Sequence, residues 1–332
     1  MKKEELVKLF KNIANLHVVV VGDVMIDNYW WGEVDRISPE APVPVVMLKK
    51  RESRMGGAAN VAMNCRALGA KVTLASVVGN DHEGHLLKDM AGQEGIDTSL
   101  LMLSSDRITT AKTRIMSRNQ HILRMDDEMS EELSVKDEHP FIDKLLKYLQ
   151  IQKPDVVIFE DYNKGVLKEN VIERTIAHCR ELGLVMAVDP KKSNFLAYKG
   201  VTIFKPNLKE VKEGLNIPLR TINKAAMDKV HKELRAKLHH EITFVTLSEK
   251  GVYYGNSVSE LLPSHLRTIA DVSGAGDTVI ATAAIIYALT KDPGLMAKIS
   301  NIAGGLVCEE VGVVPIDKKS LLEESVRLLV TA

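Results

Sequence analysis

The chain has 332 residues, 45% of them hydrophobic and 27% charged, which is the composition of an ordinary folded protein. Its 44 basic and 44 acidic side chains balance, and this argues against a dedicated nucleic-acid-binding protein. Its three cysteines are too far apart for a zinc site, and no stretch reaches the ~18 apolar residues that cross a bilayer. We therefore expect a cytoplasmic protein with reduced cysteines and with neither a nucleic-acid nor a membrane partner.

Short β-branched runs alternate with helical patterns along most of the chain. The predicted strands are residues 17–22, 72–78, 155–160, 184–189, 201–204 and 242–247. The predicted helices are residues 57–68, 84–94, 141–150, 167–182, 222–238, 279–289 and 295–310, with an amphipathic helix within 1–16. Continuous apolar strands that alternate with helices predict an α/β fold with a doubly wound, mostly parallel sheet covered on both faces.

Two segments break this alternation. Residues 29–50 are rich in proline and aromatic side chains, and residues 107–125 alternate polar with apolar side chains. Both patterns indicate strands outside the main sheet, and Pro42 and Pro44 suit edge positions. We expect one domain over residues 1–332, with a small second sheet built from these two segments.

The strongest local signal is the sequence DVSGAGDT at residues 271–278, directly before an apolar helix. Gly274, Ala275 and Gly276 carry little side-chain bulk, so several backbone N–H groups can converge on one anion at the helix N-terminus. Such a site suits a phosphoryl group in transfer. Asp277 could take a proton from an attacking hydroxyl, although an aspartate here is also typical of a helix N-cap.

Four segments, in this order, resemble the signatures of the ribokinase-like (PfkB) family of sugar kinases. They are residues 22–27 (GDVMID), 56–62 (GGAANVA), 206–210 (PNLKE) and 271–278. The resemblance implies a ribokinase-like fold in which the small sheet is a lid that closes over the sugar and forms a homodimer interface. It implies that Asp277 is the catalytic base and that residues 274–276 form the anion hole. The sugar-binding residues that it implies are Asp27, Gly56, Gly57 and Asn60.

The same resemblance implies ATP as the phosphoryl donor, with Mg²⁺ held through water near Asn207 and Glu210. It also implies a monovalent cation such as K⁺ near Asp271 and Ser273. The residues expected to contact ATP are Lys191, Asn207, Glu210, Ser248, Gly251, Gly274, Gly276, Asn301 and Gly305. One departure lies at the nucleotide end, because Ser248 stands where the family often has glycine.

Within the family, the chain is similar to the bacterial D-glycero-β-D-manno-heptose-7-phosphate kinases. The similarity lies in residues 22–30, 36–46, 112–114, 123–126, 161–165 and 188–191. It implies phosphorylation of the anomeric hydroxyl to give heptose 1,7-bisphosphate for ADP-heptose and lipopolysaccharide synthesis. The nucleotidyltransferase domain often fused to these kinases has no counterpart here, so we expect a stand-alone kinase. The candidate cations for the substrate phosphate are Arg36, Lys112, Arg114, Arg118, Arg124, Lys164 and Lys191.

Two alternatives remain open from the sequence. One is another sugar kinase of the same family, acting on fructose, ribose or a sugar phosphate. The other is a catalytically weak ribokinase-like protein that serves as a binding or regulatory module. The intact Asp277 and its glycine loop favour an enzyme over this second alternative.

Overall fold

The computed structural model describes residues 2–118, 120–265 and 267–330. Asn119, within the second predicted lid segment, and Met1 therefore lie outside the described residues. The strands are β1 (His17–Gly22), β2 (Val24–Ile37), β3 (Pro44–Gly57), β4 (Lys71–Gly79), β5 (Asp97–Ser104), β6 (Ala111–Ser117), β7 (Gln120–Asp127), β8 (Val156–Glu160), β9 (Val185–Asp189), β10 (Ile203–Phe204), β11 (Ile242–Thr246), β12 (Val252–Gly255) and β13 (Ser259–Leu262). The helices are α1 (Lys3–Asn12), α2 (Ala58–Ala67), α3 (His82–Gln93), α4 (Val135–Gln152), α5 (Glu169–Glu181), α6 (Leu208–Leu215), α7 (Lys224–Leu238), α8 (Ala275–Thr290), α9 (Pro293–Val307) and α10 (Lys318–Leu329).

The main sheet has nine strands in the order β13-β12-β11-β10-β9-β8-β1-β4-β5. The strands from β11 to β5 pair in parallel, and the antiparallel hairpin β12–β13 completes one edge. Parallel strands bring all their carboxyl ends to one edge of the sheet, where ligands bind in open α/β folds. The predicted doubly wound, mostly parallel α/β sheet is therefore confirmed.

Helices cover both faces of this sheet, which explains why its strands are continuously apolar. Val18 and Val20 of β1 pack with α2, α8 and α9 on one face, and Val19 and Val21 pack with α4 and α5 on the other. Each alternate side chain thus enters a buried layer, as expected for a sheet that is covered twice. None of the described helices is long and apolar enough to cross a membrane.

All six predicted strands of the main sheet are present, with boundaries that differ by at most two residues. The sequence interpretation missed β5, the β12–β13 hairpin, α6 and α10. Strand β5 begins with the polar residues Asp97, Thr98 and Ser99, and β12 and β13 have only four residues each. Short or polar edge elements carry too little hydrophobic pattern to be recognised in a sequence.

A second sheet of four strands, in the order β3-β2-β6-β7, stands apart from the main sheet. Strands β2 and β3 are 14 residues long and pair antiparallel along their whole length. Strand β6 pairs in parallel with β2 and antiparallel with β7. The expected small sheet is confirmed, and it also includes residues 24–28 and 51–57. Because β2 begins just after β1 ends, the small sheet lies at the carboxyl edge of the main one.

The junction between the sheets requires a glycine at residue 22. A Cβ added to Gly22 would lie 2.0 Å from the carbonyl oxygen of Glu160 on the neighbouring strand. We expect Gly22→Ala to lower the free energy of unfolding by about 1–3 kcal/mol or more, because a packed backbone must shift. Urea denaturation measures this change. Gly92→Ala is the control, because Gly92 is an exposed residue of α3 with nothing near its added Cβ. That variant should be neutral or slightly stabilised, and equal destabilisation of both variants would contradict the explanation.

Candidate active site

Asp277 lies buried in the first turn of α8, at the carboxyl edge of the main sheet. The N-cap of this helix is Gly274, in the left-handed conformation (φ 77°) that glycine adopts readily. Asp277 is therefore not the N-cap, and its carboxylate is directed elsewhere. Its Oδ2 accepts a hydrogen bond from Nδ2 of Asn60 at 2.7 Å, and its Oδ1 accepts one from the Tyr162 hydroxyl at 2.9 Å.

The surroundings of Asp277 tune it as a proton acceptor. Burial, its largest influence, and the charge of Asp189 together raise the pKa of the carboxyl group to about 6. The hydrogen bonds from Asn60 and Tyr162 act in the opposite direction because they stabilise the ionised form. Above this pKa the carboxylate is ionised and can accept a proton, and below it the carboxylate loses that ability. Asp277 thus has the properties of a general base at neutral pH.

The residues before Asp277 present backbone N–H groups to the same space. The first intrahelical bond at the start of α8 runs from the N–H of Thr278 to the carbonyl of Gly274. The N–H groups of Gly276 and Asp277 precede this bond, so they belong to the helix N-terminus, where the dipole favours an anion. A Cβ on Gly276 would lie 3.6 Å from Asp189 and 3.8 Å from Lys205. The glycine loop therefore faces a buried group of charged side chains.

Two lysines lie in this buried group and pair with carboxylates. Nζ of Lys205 lies 2.7 Å from Asp189, and Nζ of Lys191 lies 2.6 Å from Glu210 and 3.5 Å from Asp189. Burial lowers the pKa of both lysines, but these carboxylates together outweigh it and raise the pKa, so both lysines remain charged. Glu210 and Asn207 also form a capping box at the start of α6, in which each side chain accepts the other's backbone N–H. The expected magnesium residues are thus already engaged with each other and with Lys191.

Glu160 is a further buried carboxylate that the sequence interpretation did not single out. It ends β8 directly beside Asp189, which ends β9, and the two residues pair in register. Neither of its carboxylate oxygens has a hydrogen-bond partner among the described residues. Burial, followed by the charges of Asp189 and Asp277, raises the pKa of Glu160 well above its usual range. One oxygen from each of these three carboxylates lies within 4.8 Å of the others. An all-oxygen donor set of this kind fits a hard divalent cation such as Mg²⁺.

Tyr162 was also missed as a site residue, although residues 161–165 had been recognised as part of the family resemblance. Its loop is held by the buried carboxylate of Asp23, which accepts the backbone N–H groups of Tyr162, Lys164 and Val166 at 2.9–3.0 Å. This loop directs the phenol at Asp277. Nζ of Lys191 lies 5.1 Å from the centre of the Tyr162 ring, and Nζ of Lys112 lies 5.9 Å from it.

One face of the small sheet carries charged side chains toward Asp277. In the strand register, Asp27 pairs with Lys112, and Tyr29 pairs with Arg114, so these four side chains share a face. Nη1 of Arg114 donates to Oδ1 of Asp27 at 2.5 Å. A Cβ on Gly56 would lie 2.3 Å from Oδ2 of Asp27, so only glycine leaves room for this carboxylate.

Two other predicted sugar-site residues are close by. Gly57 is the N-cap of α2, with φ 60°, and a Cβ there would lie 2.4 Å from the carbonyl oxygen of Asp23. Asn60 follows in the first turn of α2. The structure thus brings together most of the predicted sugar-site residues: Asp27, Gly56, Gly57, Asn60, Lys112, Arg114 and Asp277.

The other predicted phosphate-binding cations are less directly placed. Arg124 faces Arg114 across the β6–β7 pair but is exposed and forms a bidentate pair with Asp126. Nζ of Lys164 lies 2.8 Å from Glu128. Arg36 is exposed near the far end of β2, and nine residues of extended strand place it ~30 Å from Asp27. Within one chain, the structure therefore does not bring Arg36 to the other site residues.

The predicted nucleotide residues form a group around the turns that follow β11 and β13. Ser248 and Gly251 lie in the turn between β11 and β12, both with positive φ. Nδ2 of Asn301 donates to the carbonyl of Pro263 at 2.8 Å, and Gly305 lies beside the Arg267 side chain.

The predicted monovalent-cation residues adjoin the glycine loop. Asp271 accepts the backbone N–H and the hydroxyl of Ser273 at 3.0 and 2.9 Å, and the backbone N–H of Gly312 at 2.9 Å. Its carboxylate therefore ties the loop before α8 to the loop after α9. These contacts do not test whether a cation binds there.

Comparison with known proteins agrees with this geometry. The sequence profile described as "pfkB family carbohydrate kinase" matches residues 15–319, so the chain belongs to the PfkB family of carbohydrate kinases. Solved structures support the fold. Phosphofructokinase-2 from Escherichia coli, in complex with potassium, is 15% identical, with a TM-score of 0.75 over 93% of this chain and 97% of that one. A ribokinase from Arabidopsis thaliana, complexed with ribose and ATP, is 17% identical, with a TM-score of 0.70 over 93% of this chain and 98% of that one.

Two curated relatives are more similar in sequence. The D-beta-D-heptose 7-phosphate kinase of Bordetella bronchiseptica is 40% identical over 318 residues, which cover 95% of this chain and 98% of that protein. The bifunctional protein HldE of Campylobacter curvus is 38% identical over 299 residues. That match covers 90% of this chain but only 62% of HldE. The chain thus spans less than two thirds of the length of this bifunctional relative.

The contact between Tyr162 and Asp277 leads to a prediction for Tyr162→Phe. Loss of a hydrogen bond to a charged group should lower kcat about 10- to 100-fold, because the carboxylate loses its orientation. The KM for the sugar should change little, because the ring remains in place. Tyr148→Phe is the control: it also loses one hydroxyl, but that hydroxyl donates to Asp97, outside the site. Steady-state kinetics of both variants measure the split between kcat and KM, and an unchanged kcat in Tyr162→Phe would contradict this assignment.

Proposed function

We propose that this kinase transfers the γ-phosphoryl group of ATP to the anomeric hydroxyl of D-glycero-β-D-manno-heptose 7-phosphate. The product is heptose 1,7-bisphosphate, on the route to ADP-heptose and the lipopolysaccharide core. The main observation behind the proposal is a buried Asp277 at the N-terminus of α8 that faces the cationic face of the small sheet. The 40% identity to a heptose 7-phosphate kinase supports this choice of sugar. We expect the enzyme to use the ATP of the cytoplasm.

In the proposed mechanism, Asp277 takes the proton of the anomeric hydroxyl as its oxygen attacks the γ-phosphorus. The bond between this phosphorus and the β–γ bridging oxygen breaks, and ADP leaves with the electron pair. At the glycine loop of residues 274–276, the N–H groups of Gly276 and Asp277 stabilise the negative charge on the transferring group, because the N–H of Ala275 already donates to the carbonyl of Val272. Asn60 and Tyr162 hold the Asp277 carboxylate in one orientation. Positioning and electrostatics provide most of the acceleration in phosphoryl transfer.

The substrate is held mainly by the small sheet and by the start of α2. Asp27, Asn60 and the backbone of Gly56 and Gly57 bind the sugar hydroxyls. The 7-phosphate binds the cations of the lid face, with Lys112 and Arg114 nearest and Lys164 and Arg124 at the rim. A guanidinium group suits a phosphate monoester because it donates two parallel hydrogen bonds.

ATP is expected at the turns after β11 and β13, with its phosphates directed toward Lys191 and the glycine loop. Ser248, Gly251, Asn301 and Gly305 would contact the nucleoside portion. Mg²⁺, when bound with ATP, neutralises charge on the β- and γ-phosphates, and Asn207 and Glu210 would act on it through water. A monovalent cation near Asp271 and Ser273 would add positive charge beside the glycine loop.

We further propose that the whole chain is one kinase domain, with the small sheet as a lid that closes over the sugar and joins two copies. Closure would exclude water, which competes as a phosphoryl acceptor. The face of the lid opposite Arg114 and Arg124 is apolar, because Leu123 and Met125 alternate with the charged residues along β7. Leu123 is 53% exposed, and Leu48 of β3, which the register places on the same face, is 36% exposed; such side chains are typical of an interface.

The dimer hypothesis predicts that charge on this apolar face separates the copies. The double variant Leu48→Glu and Leu123→Glu should sediment as a monomer, because each interface would bury four unpaired carboxylates. Analytical ultracentrifugation measures the change. Ile151→Glu is the control, because Ile151 is 62% exposed at the end of α4, away from the lid. An unchanged assembly in the double variant would exclude the lid as the interface.

An ADP-release assay with Mg-ATP and a panel of sugars tests the proposed reaction. The panel contains D-glycero-D-manno-heptose 7-phosphate, free heptose, fructose, fructose 6-phosphate and ribose. We expect the heptose phosphate to give the highest kcat/KM. Asp277→Asn should fold normally but lose about 10²–10⁴-fold in kcat, because it cannot accept the proton.

Each outcome separates the alternatives. Preference for another sugar would keep the family and Asp277 but exclude the heptose substrate. Absence of turnover with every sugar would favour a ribokinase-like binding protein. Near-normal activity in Asp277→Asn would remove this residue as the base.

A further inference from the structure

We propose that the protein binds one divalent cation directly between Glu160 and Asp189, beside Asp277, without nucleotide or sugar. Glu160 and Asp189 end neighbouring parallel strands in register, so their side chains point to the same face of the sheet. One oxygen from each of the three carboxylates lies within 4.8 Å of the others. Oxygens on opposite sides of one ion are ~4.2 Å apart for Mg²⁺ and ~4.8 Å apart for Ca²⁺. One ion can therefore bridge this cluster with only small movements of the side chains.

The hydrogen bonding of Glu160 points to a ligand. Its side chain is completely buried, and neither carboxylate oxygen accepts a hydrogen bond. Oδ1 of Asp189 accepts no hydrogen bond either and has only a longer ion pair, at 3.5 Å from Nζ of Lys191. Among the buried side chains of the described residues, these are the only carboxylate oxygens without a hydrogen-bond partner. An ionised carboxylate buried in this way is costly unless it is paired or coordinates a metal. A cation between Glu160 and Asp189 would contact both carboxylate oxygens of Glu160 and Oδ1 of Asp189.

The local charge has the magnitude that a divalent cation would balance. Four carboxylates, those of Glu160, Asp189, Glu210 and Asp277, surround the ammonium groups of Lys191 and Lys205. When all are ionised, two negative charges remain uncompensated. Protonation of Glu160 would neutralise one of them but would leave its second oxygen without a donor. A divalent cation removes both charges and satisfies both oxygens.

The other carboxylates of the group are less suited as primary ligands. Both oxygens of Asp277 accept hydrogen bonds from Asn60 and Tyr162, and those of Glu210 accept from Asn207 and Lys191. Asp277 can therefore remain the proposed base while the cation lies mainly on Glu160 and Asp189. Because all donors are hard carboxylate oxygens, the site suits Mg²⁺ or Mn²⁺. This site differs from magnesium carried by ATP, because the protein alone forms it.

Binding of Mn²⁺ to the metal-stripped, ligand-free full chain tests the proposal. Electron paramagnetic resonance of free Mn²⁺ should show one bound ion per chain, and Mg²⁺ should displace it. Glu160→Gln should weaken binding at least 10-fold. Glu138→Gln should leave binding unchanged; it makes the same substitution at a buried glutamate that pairs with Lys168 and Asn170. No bound Mn²⁺ in the wild type, or equal binding in Glu160→Gln, would overturn the proposal.

Thermal unfolding provides a second readout that does not depend on activity. In metal-free buffer, Glu160→Gln should melt above the wild type, because the amide cannot ionise in this buried position beside Asp189 and Asp277, whose charges raise the pKa of Glu160. Mn²⁺ should raise the melting temperature of the wild type but not that of Glu160→Gln. If Glu160→Gln does not fold, Tb³⁺ luminescence in the wild type provides the test, because Tyr162 contacts Asp277 and would sensitise an ion in the cluster. Unchanged emission in Tyr162→Phe would then place the ion elsewhere. Sugar-kinase turnover is measured separately, so failure of either proposal leaves the other testable.

Discussion

The structure depends on the burial of opposite charges where β8, β9 and α8 meet. Lys205 is almost completely buried, and its ammonium group is tolerated there because Asp189 lies 2.7 Å away. Asp189 in turn ends a central strand beside Glu160 and faces the N-terminus of α8. A buried charge without its partner is strongly destabilising, so these groups must remain together. The same requirement holds Asp277 and the glycine loop at a fixed distance from the cations that would receive ATP.

The lid and the main sheet are joined by polar contacts as well as by Val24, Ile26 and Met55, which enter the main hydrophobic core. Asp23 follows β1 and accepts three backbone N–H groups from the loop that carries Tyr162. Arg54 of β3 donates to the carbonyls of Val311 and Val313, in the loop tied to Asp271 through Gly312. Each contact links a lid strand, or the residue before it, to a loop at the active edge. Movement of the lid would therefore act on the Tyr162 loop and on the glycine loop, which are the segments that position Asp277.

Sequence periodicity was sufficient for the central elements and for the fold class. Strands such as His17–Gly22 are apolar on both faces, and this pattern has few interpretations other than a parallel sheet covered twice. Edge elements such as β5 and β13 lack that pattern, because one of their faces meets water. The site residues in the glycine-rich signatures could be identified because their backbone conformation or their close contacts require glycine. Gly57 has a positive φ, and Gly56 leaves space for Asp27. Arg36 shows the limit of such reasoning, because similarity in sequence says nothing about its position at the far end of a strand.

By itself, the sequence determined the fold class, the kinase family and the residues expected to carry the reaction, because these depend on local backbone geometry and on hydrophobic pattern. Tertiary structure decided what surrounds those residues. Only the folded chain brings the phenol of Tyr162 and the amide of Asn60 to Asp277, across 115 and 217 residues of sequence. Only the parallel register places Glu160 beside Asp189. Hydrogen bonding and net charge at a buried site arise from residues far apart in the chain, and no local pattern encodes them.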